Sequence, residues 1–165
     1  MDTDIPSLIN HILLLLLLLF LSALCSFSET AITSTGKGKL LALQEKHPRS
    51  RNALGWLILN IQSVLTVTLV LNHLVNIAAT TVATSLALRL AGVRGLWLSV
   101  LIMTSLIVVF SEILPKTVAV ARPENLLLRV LTPLRLVSRL MFPVNAVILA
   151  VVRGIGKIFG VDLSS

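Results

Sequence analysis

The 165 residues contain no tyrosine, two tryptophans and five phenylalanines, so the apolar share of the chain is carried by Leu, Val, Ala and Ile, as it is in membrane-spanning helices. Charge is scarce too: 13% of residues are Asp, Glu, Lys or Arg, against 56% hydrophobic, and the mean hydropathy is +0.97. A soluble domain of this length needs a polar surface that such a composition does not supply, so lipid must solvate much of the exterior. The single cysteine, Cys25, lies inside an apolar run. It excludes an intrachain disulfide, says nothing about redox compartment, and reads as a small buried apolar residue. His11, His47 and His73 are scattered, with no Cys/His spacing for zinc. No phosphate-cradling glycine loop and no nucleophile–base arrangement is present, so nothing supports an enzyme.

The net charge of +7 comes from 14 Lys and Arg against seven acidic residues. The basic residues flank apolar segments instead of lining a soluble face, which fits membrane orientation and anionic headgroups and argues against a nucleic-acid partner.

The first apolar segment runs from about residue 8 to 33, longer than the roughly 20 residues a bilayer requires. Pro6 and Ser7 suit a helix start. The preceding Met1-Asp2-Thr3-Asp4 is acidic where a signal peptide is basic, so a retained membrane helix is expected. Its first half is mostly Leu. Its second half carries Ser22, Ser26, Ser28, Glu29, Thr30 and Thr33, and needs protein or water beside it. Residues 36–52 are polar and basic and read as a loop, with a helical extension ending near Pro48.

The next apolar stretch, 54–90, would measure roughly 55 Å as a straight helix, against about 30 Å of hydrocarbon. It must tilt, break or re-enter, and the polar cluster Asn72, His73 and Asn76 suggests a break near 72–78. If the helix is continuous, Asn72, Asn76, Thr80 and Thr84 share one face. A turn at 91–95 leads to a third apolar segment, 96–121. Residues 122–160 mix basic residues with Pro123, Pro133 and Pro143 and read as juxtamembrane amphipathic helices; a fourth span over 140–152 is the competing reading. The expected fold is therefore all-α and integral to the membrane, with three transmembrane helices and a belt of juxtamembrane helices. Five Lys or Arg fall in the 36–52 loop and seven from Lys116 onward. The positive-inside rule then places that loop and the C-terminus in the cytoplasm and the N-terminus outside.

Only Glu29 and Glu112 are acidic within the apolar segments, and an ionisable residue at membrane depth is a functional candidate. Pro115 lacks an amide hydrogen and clashes with the carbonyl four residues back, that of Ser111, so Glu112 adjoins a backbone oxygen released from the helix ladder. Carboxylate, hydroxyl and carbonyl are hard oxygen ligands suited to Mg²⁺, Ca²⁺ or Na⁺. A proline kink made for packing alone is the plainer alternative. The first segment adds Ser26 and Ser28 and the second Asn76. Such side chains commonly glue helices together, but three oxygen-rich patches on three segments also match the design of ion-site transporters.

These residues resemble a known family. Ser26-Phe27-Ser28-Glu29-Thr30-Ala31 resembles the S-x-S-E-T-A motif of the CorC/CNNM magnesium-transport family, with Phe27 where many members have glycine. Leu74-Val75-Asn76 resembles its asparagine region, and Ser111-Glu112-Ile113-Leu114-Pro115-Lys116 its E-I-L-P-K motif, with Ser where Gly is common. Arg122-Pro123-Glu124 and the basic tail also fit. The resemblance implies a homodimer in the plasma membrane, with three spans and a juxtamembrane belt, exporting Mg²⁺ with Na⁺ as coupling ion. It implies ligands from Ser26, Asn76 and Glu112, with Ser28, Glu29 and Ser111 as weaker candidates. The cytosolic CBS domains that bind ATP in the family, and its small C-terminal domain, have no counterpart in these residues, so ATP regulation is not expected of them. A membrane-embedded Mg²⁺ sensor or anchor, and a purely structural bundle, remain the alternatives.

Overall fold

The computed structural model describes residues 5–158, which fold almost entirely into helix. Helix α1 (Ile5–Lys46) is followed by a short 3₁₀ turn (Pro48–Ser50), α2 (Arg51–Leu59) and α3 (Ile61–Leu106). A π-helical segment (Ile107–Ile113) continues α3 into α4 (Leu114–Ala121). Helices α5 (Pro123–Leu140) and α6 (Phe142–Ile158) complete the described residues.

Two helical runs, Ile5–Lys46 and Ile61–Ala121, are long and apolar enough to cross a membrane. The second supplies two legs, because it reverses at Gly92. Gly92 has φ 60° and ψ −151°, a backbone region open to glycine and closed to side-chain-bearing residues. Past it, Gly95 comes so close to the preceding leg that an added Cβ would lie 2.6 Å from the Ala87 carbonyl oxygen. In a straight helix residues 87 and 95 would be about 12 Å apart along the axis. Further down the hairpin Ala79, Ala83 and Met103 share one buried cluster, against which Leu15, Leu18 and Leu19 of α1 pack. The bundle thus has three apolar legs, as expected from the sequence: α1, residues 61–91 and residues 93–121.

The expected break near 72–78 is absent. Residues 61–91 contain neither Gly nor Pro, and the helix runs through the polar cluster. The excess length is taken up at Asn60, whose φ of −122° and ψ of 21° separate α2 from α3, and at Gly92. The helical extension of α1 does reach Lys46, one residue short of the 3₁₀ turn that begins at Pro48, and it bends at Gly36 with φ 69°.

The first half of α1 is exposed along its leucines, with Leu13, Leu16 and Leu17 more than half accessible, as lipid contact allows. The second half buries Ser22, Ser26, Ser28, Ala31, Ile32 and Thr35. At the base of the legs, Ile32, Leu40 and Leu43 of α1 form the main core with Leu54 and Leu57 of α2, Val64, Ala119, and Leu127, Leu131 and Leu134 of α5. Helix α5 buries that leucine stripe and turns Arg129, Arg135 and Arg139 outward, the amphipathic pattern of a belt helix. α5 and α6 meet at 60° across Met141. The 17 residues of α6 reach about 25 Å, short of a full hydrocarbon core. The last residues of the expected 122–160 belt, 159 and 160, lie outside the described residues.

Candidate functional site

The polar residues of α1 and α3 meet in the middle of the bundle. The Ser22 hydroxyl, fully buried, lies 2.6 Å from Oδ1 of Asn72 and 2.6 Å from Oδ1 of Asn76. The two asparagines are one helical turn apart, so their amides project from one face of α3 toward the same serine. A hydroxyl has one hydrogen and can donate to only one of these oxygens at a time. The second contact therefore sets lone pair against lone pair, unless that amide turns its NH₂ group to the serine or a cation draws all three oxygens together.

One turn further along α1, Ser26 is fully buried and its Oγ has no hydrogen-bond partner. A buried hydroxyl without a partner costs about 1–3 kcal/mol, so Ser26 is a position where an additional ligand atom has something to gain. The third leg arrives through Ser111, fully buried, whose Oγ donates to the Leu19 carbonyl at 3.3 Å. That bond fastens the π-helical segment to α1.

The π-helical geometry follows from Pro115. Its ring cannot coexist with the carbonyl of Ser111 in an ordinary α-turn, and it offers that carbonyl no hydrogen. The ladder widens just before it: Leu114 N–H donates to the carbonyl of Val109, five residues back. Such π turns alter the facing of every residue that precedes them and recur at functional sites. Here the result is that Ser111 faces inward and Glu112 is half-buried beside it.

Of the residues expected to form the site, hydrogen bonding draws Asn76 to α1 through Ser22, and Ser111 to α1 through Leu19. Ser26 shares the α1 face with Ser22. Ser28 does not join them: its Oγ donates back to the Leu24 carbonyl at 2.7 Å, spending its hydrogen within its own helix. Glu29 is half-buried, and its backbone carbonyl accepts from Thr33. None of the hydrogen bonds among the described residues ties the carboxylates of Glu29 or Glu112 to the Ser22 cluster. Ser22 and Asn72 are the residues that sequence reasoning left out of the site. Both stood in polar clusters, and the signal that marks them is spacing: Ser22 and Ser26 are four apart on α1, as Asn72 and Asn76 are on α3.

Asn76 also borders an open groove of about 560 Å³ along the outward face of α3, lined by His73, Ile77, Thr80, Thr81 and Thr84. The shared face expected for a continuous helix is therefore real for Asn76, Thr80 and Thr84. Thr80 and Thr81 return their hydroxyl hydrogens to the carbonyls of Asn76 and Ile77, which lets them sit at depth without a partner. His73 is exposed. Among the described residues no three His, Cys, Asp or Glu side chains converge. A cation at this site would be held by hydroxyl, amide and carbonyl oxygens with at most one or two carboxylates, a hard-ligand set.

Comparison with known proteins gives a consistent picture. The family described as Cyclin M transmembrane N-terminal domain (CNNM) matches residues 12–165. A chloroplastic DUF21 domain-containing protein of Arabidopsis thaliana is 35% identical over 148 residues, 90% of this chain and 22% of its own length. A UPF0053 protein of Haemophilus influenzae is 36% identical over 113 residues, 68% of this chain and 27% of its own length. The UPF0053 inner membrane protein YfjD of Escherichia coli is 29% identical over 144 residues, 86% of this chain and 33% of its own length. The chain thus spans a third or less of the curated relatives it matches.

Proposed function

The chain belongs to the cyclin M (CNNM) transmembrane family, and from that premise we propose that its three-legged bundle carries Mg²⁺ across the bilayer through the oxygen cluster at its centre. The observation that carries the reading is the Ser22 hydroxyl set between two asparagine oxygens with a partnerless buried hydroxyl, Ser26, one turn away. Turning one amide would satisfy the serine with hydrogen bonds alone, and with both oxygens turned inward the same three groups make an oxygen set that suits a cation.

A bare divalent ion in low dielectric requires negative charge, and Mg²⁺ keeps several of its waters while taking a few protein oxygens. In this reading Ser26 and Asn76 are direct ligands, with Ser22 and Asn72 fixing the amides, and Glu112 supplies the charge from the π turn. Ser111 orients that turn. Ser28 and Glu29 contribute less, since Ser28 is bonded within α1. Few carboxylates make a site that releases its ion, as transport demands.

The outward direction of transport, Na⁺ as the coupling ion, and an N-terminus outside with the loop and C-terminus in the cytoplasm complete the proposal. Lys and Arg concentration at one end of the legs supports the orientation. The polar groove beside Asn76 supports a homodimer: the exposed His73 imidazole is poorly matched to hydrocarbon and is better covered by a second copy.

The test is Mg²⁺ flux from vesicles containing the purified protein, with and without an opposing Na⁺ gradient. Wild-type protein is expected to move Mg²⁺, faster with the gradient, and Glu112→Ala is expected to abolish flux while retaining helix content and the dimer. Wild-type flux from Glu112→Ala removes that carboxylate from the site. Saturable Mg²⁺ binding without any flux identifies a sensor or anchor in place of a transporter.

A further inference from the structure

At the base of the bundle a second cleft, of about 360 Å³, opens between the α2–α3 junction and the belt helix α5. Its polar rim is Asn60, Ser63, Arg135, Ser138 and Arg139; its apolar floor is Val64, Val67 and Phe142, with Trp56 at one side. Ion transport makes no use of it, as it lies at the base of the legs and shares no residue with the Ser22 cluster.

Three features of the cleft point to an anionic ligand. The first is charge: two arginines line it and, among the described residues, no carboxylate does. The second is preorganisation. The Arg135 guanidinium carbon stands 5.8 Å from the centroid of the Trp56 ring. Stacking occupies the face of a guanidinium and leaves its edge N–H donors free for a planar or tetrahedral oxyanion. The third is a missing partner: the Ser138 Oγ is buried within the same cleft with no hydrogen bond. Asn60 is held in place by donating from Nδ2 to the Trp56 carbonyl at 2.8 Å.

The floor selects among anions. Val64 and Val67 belong to the first turns of the apolar leg α3, and Phe142 opens α6. A free phosphate would gain nothing from an apolar floor. A phospholipid would place its phosphate between Arg135, Arg139 and Ser138 and lay the start of its acyl chains on the exposed Phe142 and the Trp56 ring, the buried valines closing the cleft beneath. The position is also right: a tryptophan and arginines at the end of an apolar leg mark a headgroup level, where anionic lipid is attracted to basic belts. We propose that the cleft between α5 and the α2–α3 junction is a binding site for one anionic phospholipid per chain, recognised through its phosphate by Arg135, Arg139 and Ser138. The proposal depends on the chain being a membrane protein and is independent of the ion it moves.

The experiment is native mass spectrometry of the delipidated chain released from detergent, titrated with dioleoylphosphatidylglycerol, dioleoylphosphatidylcholine or inorganic phosphate. The expected result is one phosphatidylglycerol per chain, bound at least tenfold more tightly than phosphatidylcholine and not displaced by millimolar phosphate. Arg139→Gln, which leaves the Arg135–Trp56 stack intact, is expected to weaken phosphatidylglycerol binding about tenfold without changing helix content, and Ser138→Ala to weaken it less. Arg129→Gln, on the same helix outside the cleft, is expected to leave it unchanged. Equal weakening by Arg129→Gln would show diffuse attraction to the belt and overturn the site. Displacement by inorganic phosphate would make it a free-phosphate site, and equal affinity for phosphatidylcholine would remove anion recognition altogether.

Discussion

Replacing Ser22 with alanine separates a helix clasp from an ion site. The substitution removes one fully buried hydroxyl that touches two asparagine oxygens at 2.6 Å. Interhelical hydrogen bonds within membranes average about 0.6 kcal/mol and reach about 1.7 kcal/mol. Two short contacts, one of them lacking a hydrogen, should therefore cost about 1–2 kcal/mol of ion-free stability. The ion adds a second quantity. A ligand at a hundred times its Kd stabilises the folded state by about 2.7 kcal/mol, and a tenfold weaker Kd at the same concentration reduces that increment to about 1.4 kcal/mol. The assay is thermal unfolding in detergent at zero and saturating Mg²⁺, with Na⁺ at matched ionic strength as control. The expected outcome is a lower midpoint without ion and, in addition, a Mg²⁺-dependent increment cut to about half. An increment in Ser22→Ala equal to that of the wild type would mean that the serine only clasps α1 to α3, and the reasoning that places a cation among these oxygens would fail.

The hairpin at Gly92 gives a stability prediction. A Cβ at Gly95 would lie 2.6 Å from the Ala87 carbonyl oxygen and 2.9 Å from the Ala91 Cβ, so Gly95→Ala should cost about 1–3 kcal/mol through overpacking of backbone that cannot yield. Gly38→Ala, with nothing within 4 Å of the new methyl, is the control and should be neutral or slightly stabilising; equal midpoints for the two variants would rule out the close approach of the legs. Pro115→Ala returns an amide hydrogen to the third leg and should let the π turn relax to an α-turn, swinging Ser111 and Glu112 away from α1. Mg²⁺ flux is expected to fall at least tenfold with helix content unchanged by circular dichroism, and full flux would show that the π geometry is dispensable.

Much of this arrangement was legible in the residues. The change along α1 from leucine to serine and threonine is matched by a change from lipid exposure to burial, because lipid accepts the former on any side and the latter needs bonded neighbours. The glycine pair at 92 and 95 marked the reversal, and Pro115 marked an irregular third leg. The expected break at 72–78 failed for a physical reason. Asn72, His73 and Asn76 read as helix breakers only in isolation; in the bundle Asn72 and Asn76 are bonded from α1 across to their own helix face, so no backbone has to unwind to satisfy them.

Composition, hydropathy and proline placement by themselves determined that this is an all-helical membrane protein with three long apolar segments, and that oxygen-bearing residues lie on each of them. Those properties follow from solvent and backbone chemistry, which act locally along the chain. Tertiary structure alone decided which oxygens meet. Ser22 faces Asn72 and Asn76 from 50 and 54 residues away, and Ser111 reaches Leu19 from 92. Such pairings depend on the rotation of one helix against another, which is set by packing across the whole bundle.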